Sequence, residues 1–274
     1  PIKYHRLSGF MGDELKAGSL LLSISFTSAC FLIVHTKLKN TALFLLFIFL
    51  ITIFITGDRS NFIKSSIVTF FLLLVIDKKY LKKIIFLLLL SVTIISFIIS
   101  NNVVFKNRYL DKLYFELKDN SYNISNYIKS NEYGKIYNSA YTLFLEKKIF
   151  GLGNKNYRII CEENFHHKYD LNIKDVESLK CNTHPHQIYF EILSEHGLFG
   201  LMILLSMLFT FIYHNLYYVY KSKNIFLTSM FILIITTFIP LLPGGSFFTS
   251  FNATLFWINF SFYYAYRDIC NQIK

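Results

Sequence analysis

The chain alternates between long apolar runs and short polar connections. Runs near the length suited to crossing a bilayer, about 17–25 residues, fall at Ala17–Val34, Thr41–Thr56, Asn61–Ile76, Ile84–Ser100, Leu198–Tyr220, Ile225–Leu242 and Phe248–Tyr266, the second and third being shorter than ideal. Every second connection is basic: Lys37 and Lys39, then Lys78, Lys79, Lys82 and Lys83, later Lys221 and Lys223, and finally Arg267 and Lys274. The alternate ones, Gly57–Ser60 and Pro243–Ser246, hold a single positive charge, Arg59. An excess of Lys and Arg marks the cytoplasmic side, so the pattern predicts an all-α, multi-pass transmembrane bundle of about seven spans. Pro1–Lys16, Gly57–Ser60, Asn101–Gln187 and Pro243–Ser246 then lie on the outer face. Asn101–Gln187 is too long for a structureless connection and is expected to be a partly helical periplasmic loop. Helices are predicted over Lys106–Lys118 and Ile136–Lys148, the second ending at Gly151-Leu152-Gly153. The expected division is 1–100 (an outer segment and four spans), 101–197 (the loop domain) and 198–274 (three spans and a cytoplasmic tail).

Composition narrows this reading. With 53% hydrophobic and only 16% charged residues, the chain is too apolar for a soluble domain of its size. The net charge of +11 would suggest nucleic acid in a soluble protein, but here the lysines cluster between apolar runs as a topology signal. No nucleic-acid partner is expected. The chain opens on a polar segment without Met, and is read as an N-terminally truncated fragment. Cys161 and Cys181 both lie in the outer loop. In an oxidising compartment they would pair and tether the segment that follows, whereas spacing alone equally allows two free thiols. The loop has no CxxC, and His166-His167 are adjacent rather than one helical turn apart, so no metal site is expected.

The candidate chemistry gathers at the outer boundary. In Asn182–Gly200, NTHPHQIYFEILSEHGLFG, Pro185 suits the first turn of a helix. A helix starting there places His186, Tyr189, Phe190, Leu193 and Gly197 along one face, with Glu191 and Glu195 on a neighbouring one. A neutral imidazole suits proton removal near neutrality. Arg59, within Thr56-Gly57-Asp58-Arg59-Ser60, is the strongest anion-site candidate, because a boundary cation is costly unless paired or hydrated. The alternative is that Asp58 neutralises it. Arg6 sits in a glycine-broken stretch suited to phosphate or sugar contact, and Arg158 follows Gly151-Leu152-Gly153 as a third outer cation. That GxG lacks the strand–helix context and lysine of a nucleotide loop, which excludes ATP binding.

The spacing His184-Pro185-His186-Gln187-(x)3-Glu191-(x)3-Glu195-His196-Gly197-(x)2-Gly200 resembles the outer-loop signature of the O-antigen ligase and O-antigen polymerase superfamily. Arg6-x-Ser8-Gly9-(x)2-Gly12, Gly57-Asp58-Arg59-Ser60, Gly151-x-Gly153 and Phe247-Phe248 resemble its supporting pieces in the same order. The resemblance implies a membrane glycosyltransferase of the bacterial inner membrane that works on the periplasmic face without metal or cofactor. Its donor would be a polyprenyl-diphosphate-linked glycan, and its acceptor lipid A-core or a growing glycan. It further implies that His186 is the base, with His184 as the substitute. Arg59, helped by Arg6 or Arg158, would hold the diphosphate, and His184, Glu191 and Glu195 would line the substrate. An O-antigen repeat-unit polymerase and a protein-directed oligosaccharyltransferase of the same superfamily remain open beside the ligase. A membrane solute transporter is the alternative of a different class; it predicts charges near the bilayer midplane rather than at the boundary.

Overall fold

The computed structural model describes residues 2, 3, 6–9, 16–35, 37, 39–111, 131–170 and 179–272, with the backbone alone for 2, 3 and 165–170. His5, residues 10–14 of the Arg6 segment and residues 112–118 of the helix expected at Lys106–Lys118 lie outside this set, as do the side chains of His166 and His167. A short antiparallel ribbon, β1 (Ile2–Lys3) and β2 (Arg6–Leu7), precedes the helices. The helices are α1 (Ala17–His35), α2 (Lys39–Ile55), α3 (Arg59–Val75), α4 (Lys78–Asn101), α5 (Val103–Lys106), α6 (Glu132–Glu146), α7 (Tyr157–Asp170), α8 (Ile188–Ser222), α9 (Ile225–Thr236) and α10 (Ser250–Gln272). A π turn, Asn107–Asp111, continues α5.

Two compact units are formed. The first comprises Pro1–Leu113, Asn215–Phe238 and Thr254–Lys274; the second comprises Tyr114–His214 and Ile239–Ala253. In the first unit α9 packs against α3 and α1, and α2 packs against α1, α3 and α4. A helix apolar on all sides belongs in the middle of a bundle, and α9 is buried nearly throughout, from Phe226 to Ile234. Two of its inward-turned polar residues are satisfied within the helix: the Ser229 and Thr236 hydroxyls donate to the Phe226 and Leu233 carbonyls. Asn215 is wholly buried and accepts from the Tyr263 hydroxyl at 3.0 Å and from Arg267 Nη1 at 2.6 Å. A buried amide is stable only when its polar atoms are satisfied in this way.

Three helices among the described residues, α1, α4 and α8, are long and apolar enough to cross a membrane. On α4, Phe86, Leu89 and Phe97 are more than half exposed, as a lipid-facing surface requires. A helix is found in each of the seven predicted apolar stretches, but α9 ends at Thr236 rather than reaching Leu242. Pro240 and Pro243 explain this: neither can donate a helical hydrogen bond, and each disfavours a helix before it. The residues so released, 239–249, form a turn-rich loop in the second unit. The second unit's core packs Ala140 and Leu143 of α6 against Leu152, Tyr157 and Cys161, and Cys161 is bonded to Cys181. Helix α7 was not legible from its sequence, which carries too many polar residues to show an apolar stripe.

Candidate functional site

In the first unit the Thr56–Arg59 turn gathers cations. Asp58 caps α3, accepting from the Asn61 amide at 3.3 Å through Oδ1 and from the Asn61 side chain at 2.8 Å through Oδ2. Oδ2 also takes Arg6 Nη2 at 2.7 Å, while the Leu7 amide donates to the Thr56 carbonyl at 3.0 Å, so the ribbon is pinned to the turn at two places. The Asp58 carboxylate is thus engaged by Arg6 and Asn61. Arg59, at the first position of α3, is half-buried and its guanidinium makes no hydrogen bond or ion pair among the described residues. Arg108 arrives from the π turn and donates through Nε to the Gly57 carbonyl at 2.6 Å. Next to it the Tyr109 ring stacks on Phe54 at 4.4 Å, and its hydroxyl donates to the Phe54 carbonyl. Burial lowers the Arg108 pKa, and the neighbouring Arg59 and Arg6 charges lower it further. The Arg59 and Arg6 charges therefore bear on Arg108 beside a single carboxylate, an arrangement that an anion would relieve.

In the second unit the histidine turn departs from the predicted helix. His186 has φ +59 and lies outside α8, which begins at Ile188. The reason is Gln187: its Oε1 accepts from the Tyr189 and Phe190 amides at 2.8 and 3.2 Å and caps the helix there. His186 is consequently not on the face of Tyr189 and Phe190. A left-handed backbone at a residue other than Gly costs about 1–2 kcal/mol, and here it is held by a reciprocal pair of contacts with Gly244. The Gly244 amide donates to the His186 carbonyl at 2.7 Å, and His186 Nδ1 lies 3.2 Å from the Gly244 carbonyl. A carbonyl can only accept, so Nδ1 carries a proton, and in the neutral ring the lone pair falls to Nε2. His184 packs its ring 4.1 Å from that of His186. Burial, reinforced by His186 and partly offset by the Gly244 carbonyl, pushes the His184 pKa down to about 4. His184 therefore stays neutral beside its partner.

The glycines and glutamates of the motif hold this turn in place. At Gly197 α8 kinks, with φ 64 and ψ −161, a conformation essentially confined to glycine. A Cβ there would stand 2.5 Å from the Ile149 carbonyl carbon and 2.7 Å from the Gly151 amide nitrogen. Gly151, at φ +69, makes the reciprocal approach, with its missing Cβ 2.5 Å from the Glu195 carbonyl carbon. Four backbone bonds close the clasp: Leu152 to Ser194, Gly153 to Glu195, Leu198 to Lys148 and Phe199 to Ile149, at 2.8–3.1 Å. Glu191 accepts from the Ser246 hydroxyl and, at 3.0 Å, from the Phe247 amide. Glu195 accepts from the Lys155 amide at 2.9 Å. Both carboxylates lie before the kink, outside the apolar limb that follows it. Burial raises both pKa values, that of Glu191 to about 7.

The structure thus brings His184, His186 and Glu191 together with the 244–247 loop, and Arg6 and Arg59 together with Asp58. Arg158 stands exposed on the first turn of α7 with no hydrogen bond or ion pair among the described residues. Glu191 and Glu195, expected to line substrate, spend their oxygens on internal donors. Sequence reasoning missed Arg108, which lies in the long polar loop without any motif, and Gly244, whose carbonyl engages His186 Nδ1. Among the described residues no group of His, Cys, Asp and Glu is arranged to hold a metal.

A family model described as O-antigen ligase matches residues 44–205. No curated protein matches the chain. No solved structure matches it either. The matched stretch takes in the cationic turn, the π turn behind it and the whole His–Glu–Gly motif, so the chain belongs to the O-antigen ligase family of membrane glycosyltransferases, ligase or polymerase in type.

Proposed function

We propose that the protein transfers a glycan from a polyprenyl-diphosphate carrier to a hydroxyl of an acceptor sugar on lipid A-core, on the periplasmic face of the inner membrane. The observation that carries this reading is the 3.2 Å contact of His186 Nδ1 with the Gly244 carbonyl, which commits Nδ1 as a donor and leaves Nε2 as the basic nitrogen of the neutral ring. In the reaction Nε2 accepts the proton of the acceptor hydroxyl as its oxygen bonds to the anomeric carbon. The bond from that carbon to the diphosphate oxygen breaks, and its electron pair leaves with the diphosphate. Arg59, Arg6 and Arg108 are assigned to the diphosphate, where planar guanidiniums match phosphate geometry and offset the charge that develops on departure. His184, held neutral, adds no competing charge next to the base. The Cys161–Cys181 disulfide supports an oxidising compartment for the 131–187 segment. The lysine distribution supports the same side.

The test is a lipopolysaccharide gel from a deletion strain complemented with the full-length gene, as wild type, His186→Asn or Arg59→Ala. Asparagine tolerates a left-handed backbone, so His186→Asn removes the base without adding strain. The expected result is bare lipid A-core and accumulated polyprenyl-linked polymer in both variants. A core bearing one repeat unit assigns the chain to polymerisation instead, and normal ladders from both variants overturn the site.

A further inference from the structure

The His186 Nε2 lone pair is already engaged, 2.9 Å from the Asn182 amide nitrogen Nδ2. The orientation of that amide is fixed, because Asn182 Oδ1 accepts from the Thr183 backbone N–H at 2.7 Å, which turns the NH2 toward the imidazole. The chain around Asn182 is anchored from one side: Cys181 is bonded to Cys161, which is fully buried among Ala140, Leu143, Leu152 and Tyr157. On its other flank the His186 ring is met edge-on by Tyr133 of α6 at 5.8 Å and by the neutral His184. We propose that Asn182 is a positioning residue that caps the base, keeping Nε2 unprotonated and aimed until an incoming hydroxyl displaces the amide.

This inference rests on the reading of His186 as the base. Its physical content is narrower, however. An N–H donated to Nε2 stabilises neutral imidazole and has no favourable contact to offer the imidazolium, whose own Nε2–H would face it. A hydroxyl approaching as proton donor replaces that N–H with a group able to give up its proton. The cap therefore suppresses idle protonation while leaving the site competent, and the disulfide next to it sets its reach.

The test needs no transfer activity. Purified protein in detergent is treated with diethyl pyrocarbonate across a pH series, and carbethoxylation of His186 is read by fragment-ion mass spectrometry. Asn182→Ala removes the donor and raises the pH midpoint of modification above wild type. Asn182→Asp keeps the Thr183 contact through Oδ1 but places a carboxylate where the NH2 stood, and raises the midpoint further, by about 1–3 pH units. A role confined to packing predicts no such ordering. The wild type supplies a check that needs no folded variant at position 182: spectra of 15N-histidine protein, assigned by loss of a signal in His186→Asn, should show the Nδ1–H form with Nε2 accepting a hydrogen bond. An unmoved midpoint in Asn182→Asp, or a wild-type His186 protonated at Nε2, overturns the proposal. If the midpoint moves as expected but transfer proves independent of His186, the proposed function falls while the capping contact stands. If transfer requires His186 and the midpoint does not move, only the cap falls.

Discussion

Replacing Gly197 with alanine is expected to cost about 4 kcal/mol, while the same change at Gly244, two residues from the buried Ser246, should cost almost nothing. The difference follows from backbone geometry. At Gly197 the conformation, φ 64 and ψ −161, is strained for alanine by ~1–3 kcal/mol. The added methyl would also lie 2.5 Å from the Ile149 carbonyl carbon, against an optimum of about 3.5–4.0 Å between carbons. Relief requires a retreat of roughly 1 Å, and the backbone bonds of the clasp cannot survive it, because an N–H to oxygen distance stretched toward ~3.6 Å is no longer a hydrogen bond. Losing two or three of the four at about 1 kcal/mol each, on top of the strain, gives the stated total. Gly244 has φ outside the positive range and no atom within 4 Å of its missing Cβ. Thermal unfolding in detergent, followed by near-ultraviolet circular dichroism, should show a large destabilisation for Gly197→Ala and a change within ~0.5 kcal/mol for Gly244→Ala. Indistinguishable curves for the two variants would refute the clasp.

The titratable groups give two opposed pH effects. His184 has a native pKa held below its ordinary value, at about 4. Only the unfolded chain then takes up a proton as pH falls from ~6.5, so this term stabilises above that pH and is lost on the way to 4, by roughly 2–3 kcal/mol. His184→Gln should therefore flatten the acid limb of melting temperature against pH, and an unchanged limb contradicts the assignment. Glu191 has a raised native pKa, about 7, so its contribution is full below ~4.5 and disappears as pH rises through 7. Glu191→Gln should gain stability relative to wild type at pH 8, whereas Glu191→Ala, which strands the Ser246 hydroxyl and the Phe247 amide, should lose about 2–4 kcal/mol; equal melting of the two variants would argue against the brace. Removing the disulfide by Cys161→Ser with Cys181→Ser opens a closure of sequence separation 20 and should cost about 3 kcal/mol, read as a lower melting temperature that reductant no longer affects. Arg108→Ala should weaken both donor binding and turnover, raising KM for the polyprenyl-linked glycan and lowering kcat; unchanged values of both would remove Arg108 from the anion site.

Much of the architecture was legible because apolar runs bounded by lysines leave few alternatives. α2 and α4 appear close to where hydrophobic length places them. The end of α9 was misjudged because Leu241 and Leu242 look like membrane residues, while the prolines on either side decide the backbone. The motif suggested the wrong local geometry for its own segment: Pro185 advertised a helix start, and the Gln187 side chain sets it three residues later. What one sequence cannot display is reciprocity. Gly151 and Gly197 each look like ordinary turn glycines until their backbones are seen to meet. The proton on His186 is likewise assigned by a carbonyl 58 positions away.

The bond between Cys161 and Cys181 has a consequence for the order of maturation. Helices form as the chain is synthesised and inserted, but a covalent link between sulfurs awaits an oxidant. A freshly made copy would thus carry its full set of helices while the strand bearing Asn182 and the imidazoles is still unmoored.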